Sequence, residues 1–522
     1  MKNKKPISFN SRFYTTIRNF LVIAPALFPF ILTAKPADIQ EAQHFTKPLS
    51  MQIPLARPSR DHSYLSENGN FIIHYNNSGY HAVPQNYTFN DSIPDYVYRS
   101  AQYLEDSFVM LHDSLGFKLP PEDHVNSPEI DVYFTSYFDN YGMTWLESQA
   151  EPNVWTSFIE LSTNLEDSSV FYTPGLDGLK VTCAHELFHV FQLGYIYRDR
   201  DYFYFEMSSV WFEEFMYPDV NDYHSYFNQY TANWNYAVDH ANLYYNNVGF
   251  NLYIDKHYSV PGDNIINTIW ERIPAEPALD AIGTVLNDRG NGFAHALCNW
   301  GTAQVLCYPY SAGNFAYGFD DAQDLPTVSF SRYPDNVFTS LNAEFALPAS
   351  HMVSYYKLGD LPPQALLFET DLSGGLSANL ICLDGTQSMV YPLNNSISVI
   401  DGNRFNECIL VVGSDRENAT GSVSMVPVPS DLIVSLYPNP SSSGYGVSIR
   451  YVLTEDQQAI QAALYDLRGR RVFVHDLGEH LLQQGLHTLT LDLFPHHLSS
   501  GIYFFTLHTD ERAISKKLTI IN

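Results

Sequence analysis

Basic side chains are scarce in this chain of 522 residues: 28 Lys and Arg stand against 57 Asp and Glu, a formal net charge of −29. The first 34 residues hold five of the cations (Lys2, Lys4, Lys5, Arg12, Arg18) and no acid, so the remainder is more acidic still. Such a surface repels phosphate backbones and excludes the nucleic-acid-binding classes. Cysteine is sparse and odd in number, with Cys183, Cys298, Cys307, Cys382 and Cys408 only. That is too few for a disulfide scaffold, although Cys298–Cys307 and Cys382–Cys408 are pairs that proximity along the chain suggests, and Cys183 reads as a buried thiol. There is no Gly-rich phosphate cradle, no G-x-S-x-G nucleophile elbow, no EF-hand spacing and no solenoid repeat. After the N-terminus no apolar run is long enough to cross a membrane.

What the chain does contain is apolar and aromatic surface: 45% hydrophobic and 15% aromatic residues, with 37 Tyr and 34 Phe, enough for several cores. The basic start followed by "FLVIAPALFPFILTA" reads as a signal peptide over 1–34, since Pro25 and Pro29 and the short apolar run argue against a membrane helix. Residues 35–65 are polar with scattered Pro and read as a leader or linker. From 66 to 340, strands such as "NFIIHY" and "EIDVYF" mix with helical stretches such as "DYVYRSAQYLEDSFVMLHDSLGF", "DNIINTIWERI" and "GFAHALCNWGTAQVL". From 341 to 430, short runs such as "ALLFETDL" and "CILVVGS" predict a β-sandwich, and 431–522 predicts a second all-β domain.

The chemistry concentrates in "VTCAHELFHVFQLGY", Val181 to Tyr195. As a helix, it stacks Val181, Ala184, Leu187, Phe188 and Phe191 toward a core and puts His185, His189 and Gln192 on a neighbouring stripe, with Gly194 at the end. Histidines four apart share a face and reach one ion, while Glu186, about 100° around the helix, lies beside that ion rather than on it. Neutral imidazole suits zinc, and zinc lowers the pKa of a bound water toward about 7, within reach of a carboxylate base. A third protein ligand is sought in "DYFYFEMSSVWFEEFMYPDVNDY". Glu206, next to small residues that permit close helix approach, is preferred as the ligand over Glu213 or Glu214; Glu213, seven residues on, could instead orient a ligand histidine, and Glu214 could solvate the surface. The position that would hold a third histidine in metzincins is Tyr195. His240, Tyr244 and Tyr245 are candidates to stabilise an oxyanion, against a background in which most tyrosines are packing groups.

On "HELFH", "FEMSSVWFEEF", "FIIHYNNSGYHAV" and "GFAHALCNWGTAQ", the stretch from about 66 to 360 resembles a bacterial family of secreted HExxH metalloproteases with a gluzincin-like core. In that family an E-x-x-A-x-W-x-E pattern follows the histidines; here it runs from Glu206 through Trp211 to Glu213, with Ser209 at the alanine position. On "LYPNPSSSG", "LYDLRGRRV", "LSSGIYFFTL" and "KKLTI", the tail resembles the C-terminal sorting domain of type IX secretion cargo. Together these imply an α+β zincin-like metalloprotease domain followed by two β-sandwich domains, and a secreted or surface protein. His185, His189 and Glu206 would bind a zinc ion and Glu186 would serve as general base. The expected partners are a protein or peptide substrate and the type IX machinery. A surface adhesin or binding protein on a metal-binding scaffold is the rival reading. A zinc aminopeptidase ranks third, because nothing marks a site for a substrate amine.

Overall fold

The structure is a computed structural model. It describes residues 49–50 and 56–521, except 123–127, 138, 233, 241–243, 312–316, 333–336, 339–341, 359–360, 362–363, 394–397, 403, 406, 429–430, 443–445, 458–460, 477–484, 494–497 and 510–511. The signal peptide expected over 1–34 lies outside the described residues.

A six-stranded mixed sheet organises the N-terminal half. Its strands are β1 (Leu49–Ser50), β2 (His62–Leu65), β3 (Phe71–Tyr75), β4 (Ile130–Thr135), β5 (Gly142–Glu151) and β6 (Val154–Ser162), in the order β1-β5-β6-β4-β3-β2. β3, β4 and β6 are parallel, β5 returns antiparallel to β6, and β1 pairs parallel with the outer edge of β5. The alternation along the strands sorts their faces. Ile73, Val132, Phe134, Leu146, Ile159 and Leu161 join the core under the helices. Asp131 and Glu147, at alternate positions, meet Arg57 on the other face.

This corrects one expectation. Residues 35–65 are not simply a linker, since β1 and β2 are edge strands and Arg57 and Arg60 fasten the segment between them to the sheet. Arg57 Nε lies 2.5 Å from Glu147 Oε1, the same guanidinium pairs with Asp131, and Arg60 Nε donates to the Phe134 carbonyl at 2.6 Å. Strands of two and four residues are too short to show a period in sequence.

α1 (Asp95–Val109) connects β3 to β4, runs on into a single π-helical turn, and stops at Gly116, whose φ is +77°. α2 (Gly175–Leu193) follows β6 and packs between α1, the sheet and α3 (Tyr202–Met216). Every α2 residue from Val181 to Leu193 is buried, so the apolar stripe expected on one side is only part of an enclosed surface. Gly194 ends α2 with an ordinary right-handed φ of −71°. Its smallness serves contact instead: a Cβ there would lie 3.0 Å from Pro120 Cα. α4 (His224–Ala232), α5 (Val248–Tyr258), α6 (Ile265–Arg272), α7 (Ala278–Asp288) and α8 (Phe293–Val305) complete this half.

The central β-domain holds β7 (Val337–Phe338), β8 (Asn342–Leu347), β9 (Met352–Leu358), β10 (Ala365–Leu372), β11 (Leu376–Asp384), β12 (Gln387–Pro392), β13 (Ser398–Asp401), β14 (Glu407–Ser414) and β15 (Ala419–Pro427), in sheets ordered β13-β10-β15-β8 and β12-β11-β14-β9-β7. Because β7 pairs with β9 (Met352–Leu358), this domain begins slightly before the boundary of 341 expected from sequence. Its five-stranded sheet is covered on both faces. One face meets the other sheet, burying Leu380, Leu410, Val412, Leu366 and Phe368. The other face meets α8, so Val353, Tyr355, Ile381 and Val411 belong to the same apolar core as α2 and α3. Polar ties cross the same contact: Tyr355 OH donates to Gln304 Oε1 at 2.5 Å, and Asn379 Nδ2 donates to Thr302 Oγ1 at 2.9 Å. β16 (Leu432–Tyr437) to β23 (Ala513–Ile521) form a third β-unit of a three- and a five-stranded sheet, which meets the central domain through a small cluster of Ala365, Val399, Val428 and Val452.

Cys298 and Cys307 are not paired. The Cys298 sulfur faces the Val411 carbonyl and the Cys307 sulfur the Ala303 carbonyl, each with its thiol pKa pushed up by burial. Cys382 on β11 (Leu376–Asp384) and Cys408 on β14 (Glu407–Ser414) face each other across the ladder, unbonded, with sulfurs 2.8 Å apart.

The seat of α8 on the β-domain depends on Gly413, where an added Cβ would collide with the Ala294 carbonyl oxygen and the Cys298 amide nitrogen. Gly413→Ala should therefore destabilise the protein by about 1–3 kcal/mol, read as a fall of several degrees in the midpoint of thermal unfolding; an unchanged midpoint would contradict this packing.

Candidate metal centre

α2 reaches the middle of the protein with His185, Glu186 and His189 all at zero exposure, which obliges each polar group to find a partner. The histidines are held from behind. His185 Nδ1 donates to Glu213 Oε1 at 2.5 Å, and His189 Nδ1 donates to Gln192 Oε1 at 2.7 Å. The Gln192 amide is itself fixed, because its Nε2 donates to the Phe205 carbonyl and to Ser208 Oγ, both at 3.1 Å. With both Nδ1 atoms acting as donors, the two Nε2 atoms keep their lone pairs and turn them inward.

Glu206 of α3 meets those lone pairs. Its Oε2 lies 3.3 Å from His185 Nε2 and 3.5 Å from His189 Nε2. Ligand atoms bound at about 2.1 Å around a tetrahedral ion sit about 3.4 Å apart, so both histidine–carboxylate distances are those that one such ion demands. His185, His189 and Glu206 are the one such group found among the described residues. Burial opposes charge on both sides, but the carboxylates of Glu206 and Glu213 raise the His185 pKa, and the two imidazoles hold Glu206 well below its ordinary value. The pocket thus favours positive charge at its centre, as a proton or as a cation.

Glu186 points elsewhere. Thr144 Oγ1 on β5 donates to Glu186 Oε2 at 2.7 Å. β5 comes this close because residue 142 is glycine: a Cβ there would lie 2.8 Å from Thr182 Cγ2 and 3.1 Å from Glu186 Cγ. Two tyrosines border Glu206. Burial, reinforced by that carboxylate, pushes the phenols of Tyr202 and Tyr245 up, so both remain protonated donors. The Tyr245 ring also stacks on His185 at 6.2 Å.

The other sequence candidates are placed apart from the ion position. Glu213 backs His185. Glu214 faces Asp321, Asp219 and Asp222; burial and these like charges push its pKa up to about 8. Tyr244 packs against Tyr202, and His240 against Tyr236. Cys183, within the motif, is an inert thiol with its pKa pushed up by burial. Sequence reading did not single out Thr144, Gly142 or Tyr202. Their roles arise from contacts across the fold, and only the tyrosine's place one turn before Glu206 gave a signal.

Residues 36–307 match a family of unknown function (DUF6055), and residues 435–521 match a secretion-system C-terminal sorting domain. The chain belongs to that family of unknown function. Its tail makes it type IX secretion cargo, secreted or at the cell surface. No helix of the described residues is long and apolar enough to cross a membrane. No curated protein matches the chain. Solved structures with similarity include a Faecalibacterium prausnitzii β-glucuronidase (10% identity, 34% of this chain and 40% of that one, TM-score 0.17). A Bacteroides uniformis β-glucuronidase is similar over 32% of this chain and 26% of its own, at 14% identity and TM-score 0.17. This chain therefore spans less than half the length of either. The family carries no assigned activity, so a functional reading rests on the site itself.

Glu206→Gln should abolish metal retention after dialysis against a chelator. Glu213→Gln should keep the metal with affinity lowered about 10–100-fold, as loss of a partner behind a ligand histidine does. Metal content of the two variants measures this, and equal retention would contradict the assignment of Glu206 as ligand.

Proposed function

We propose that this protein is a secreted zinc-dependent endopeptidase with a zincin-like domain, in which His185, His189 and Glu206 hold the metal and Glu186 is the general base and acid. The observation that carries the reading is the approach of two Nε2 atoms to one carboxylate oxygen at the spacing a tetrahedral ion demands, with Glu186 on the same helix, directly after the first histidine. Structural zinc sites close with four protein ligands. Three are found among the described residues, which leaves a position for water or substrate.

Zinc bound there would polarise the scissile carbonyl and make a water acidic enough to lose its proton near neutral pH. Glu186 would accept a proton from the attacking water and return it to the leaving amine. The Thr144 hydroxyl orients its carboxylate for this traffic. Tyr202 and Tyr245 keep their protons and supply donors for charge that develops on the carbonyl oxygen. Glu213 and Gln192 fix the tautomers and ring angles of the ligands, so that no reorganisation accompanies the reaction.

A binding protein built on a metal scaffold is the second reading, and the complete burial of the cluster favours it. Glu186 separates the two, because hydrolysis needs its basicity and metal binding does not. Glu186→Gln should retain zinc and the folded state while hydrolysis of an unfolded protein substrate falls about 10²- to 10⁴-fold. A wild type that holds zinc, cleaves nothing in a broad peptide library and is unaltered by Glu186→Gln would establish the binding protein instead.

A further inference from the structure

Of the five cysteines, Cys382 and Cys408 alone stand opposite each other in a strand ladder. Both are at zero exposure, in the apolar core between the two sheets of the central β-domain. The Cys408 thiol donates to the Cys382 sulfur at 2.8 Å. Directly opposed residues of an antiparallel pair have Cα atoms about 4.5 or 5.5 Å apart. A disulfide spans about 4.4–6.8 Å between Cα atoms. The backbone therefore stands where a bond would hold it, and the sulfurs need only approach by less than about 1 Å. Cys298 and Cys307 have no such arrangement, since each turns its sulfur to a backbone carbonyl.

We propose that Cys382 and Cys408 are joined by a disulfide in the secreted protein, and that the bond is made before the central β-domain closes. The sorting tail marks the chain as type IX cargo, so it leaves the reducing cytoplasm for compartments where disulfides form and persist. The co-reactant is a protein disulfide of the kind that oxidises exported chains. The thiolate of one cysteine attacks it, forming a mixed disulfide and expelling one of the oxidant's sulfurs. The thiolate of the second cysteine then attacks the first cysteine's sulfur and expels the oxidant's other sulfur. The pair gives up two protons and two electrons, and the oxidant leaves as a dithiol. Each attack needs an exposed thiolate, which the folded domain denies to both residues. Neither sulfur is accessible, and burial with a second sulfur beside it pushes the Cys382 thiol pKa up. Oxidation therefore precedes folding of the domain, and the closed core afterwards shields the bond from reductants. Its place in the fold gives it a purpose. Ile381 and Ile409, next to the two cysteines, belong to the core shared with α8 on the other face of the same sheet. The bond, between residues 26 apart, ties together β11 and β14, the strands on which α8 rests, and restricts the unfolded chain.

The proposal stands whether or not the metal centre is catalytic. The test uses the chain as its own cells secrete it, denatured, alkylated without reductant and digested for mass spectrometry. Cys183, Cys298 and Cys307 should be alkylated, and the peptides carrying Cys382 and Cys408 should travel as one species, lighter than their sum by two hydrogens. Reduction in the denaturant before alkylation should make all five cysteines react. Dithiothreitol should break the bond in the native protein at least about 100-fold more slowly than in denaturant, because it reaches the sulfurs only when the strands open. Alkylation of Cys382 and Cys408 without prior reduction, a bond between any other pair, either cysteine failing to react after reduction, or native reduction as fast as reduction in denaturant, overturns the proposal.

Discussion

The structure depends on a helix that is buried from Val181 to Leu193 and carries two imidazoles, a carboxylate and an amide there. In the interior an imidazole, a carboxylate or an amide without a partner costs several times what a partnered one contributes, so α2 is stable only if its neighbours supply partners. They do so in a fixed order. Glu213 and Gln192 take the Nδ1 protons, Thr144 donates to Glu186, and two Nε2 lone pairs meet a carboxylate oxygen of Glu206 at one point. The candidate metal centre is the residue of that accounting, and a cation would complete it.

The partners come from α2 itself, from α3 and from β5, which explains why so much of the chain is committed to one core. α3 supplies Glu206, Glu213 and the Ser208 and Ser209 hydroxyls; β5 supplies Thr144, brought close by Gly142. Trp270 of α6 packs on Phe188 of α2 and donates through Nε1 to Ser208. Farther out, α8 passes the same core to the central β-domain, which is a buttress of the helical half rather than an appended module. The sorting domain touches that β-domain through a few small side chains, as suits a unit whose work is export.

Much of this was legible in sequence wherever the signal is local. The i, i+4 histidines, the helix stop at Gly116, and strands such as Gly446–Leu453 and Gly501–His508 follow from period and turn residues. The choice among Glu206, Glu213 and Glu214 was not fixed there. Glu206 and Glu213 lie on one helix face, and which one meets Nε2 and which Nδ1 depends on how deeply α3 crosses α2, a distance no spacing encodes. The two-residue β1 carries no pattern at all. Gly142 and Thr144 lie about 40 residues before Glu186, and their role exists only where β5 runs beside α2.

The central claim is that one metal ion sits between His185, His189 and Glu206. X-ray absorption at the zinc edge, on protein purified without added metal and matched to its elemental content, tests it most directly. The account predicts one zinc per chain with two imidazole nitrogens and oxygen donors at about 2.0–2.2 Å and no sulfur. A metal-free protein that takes up no zinc on titration, or a zinc bound through cysteine sulfur, would contradict it.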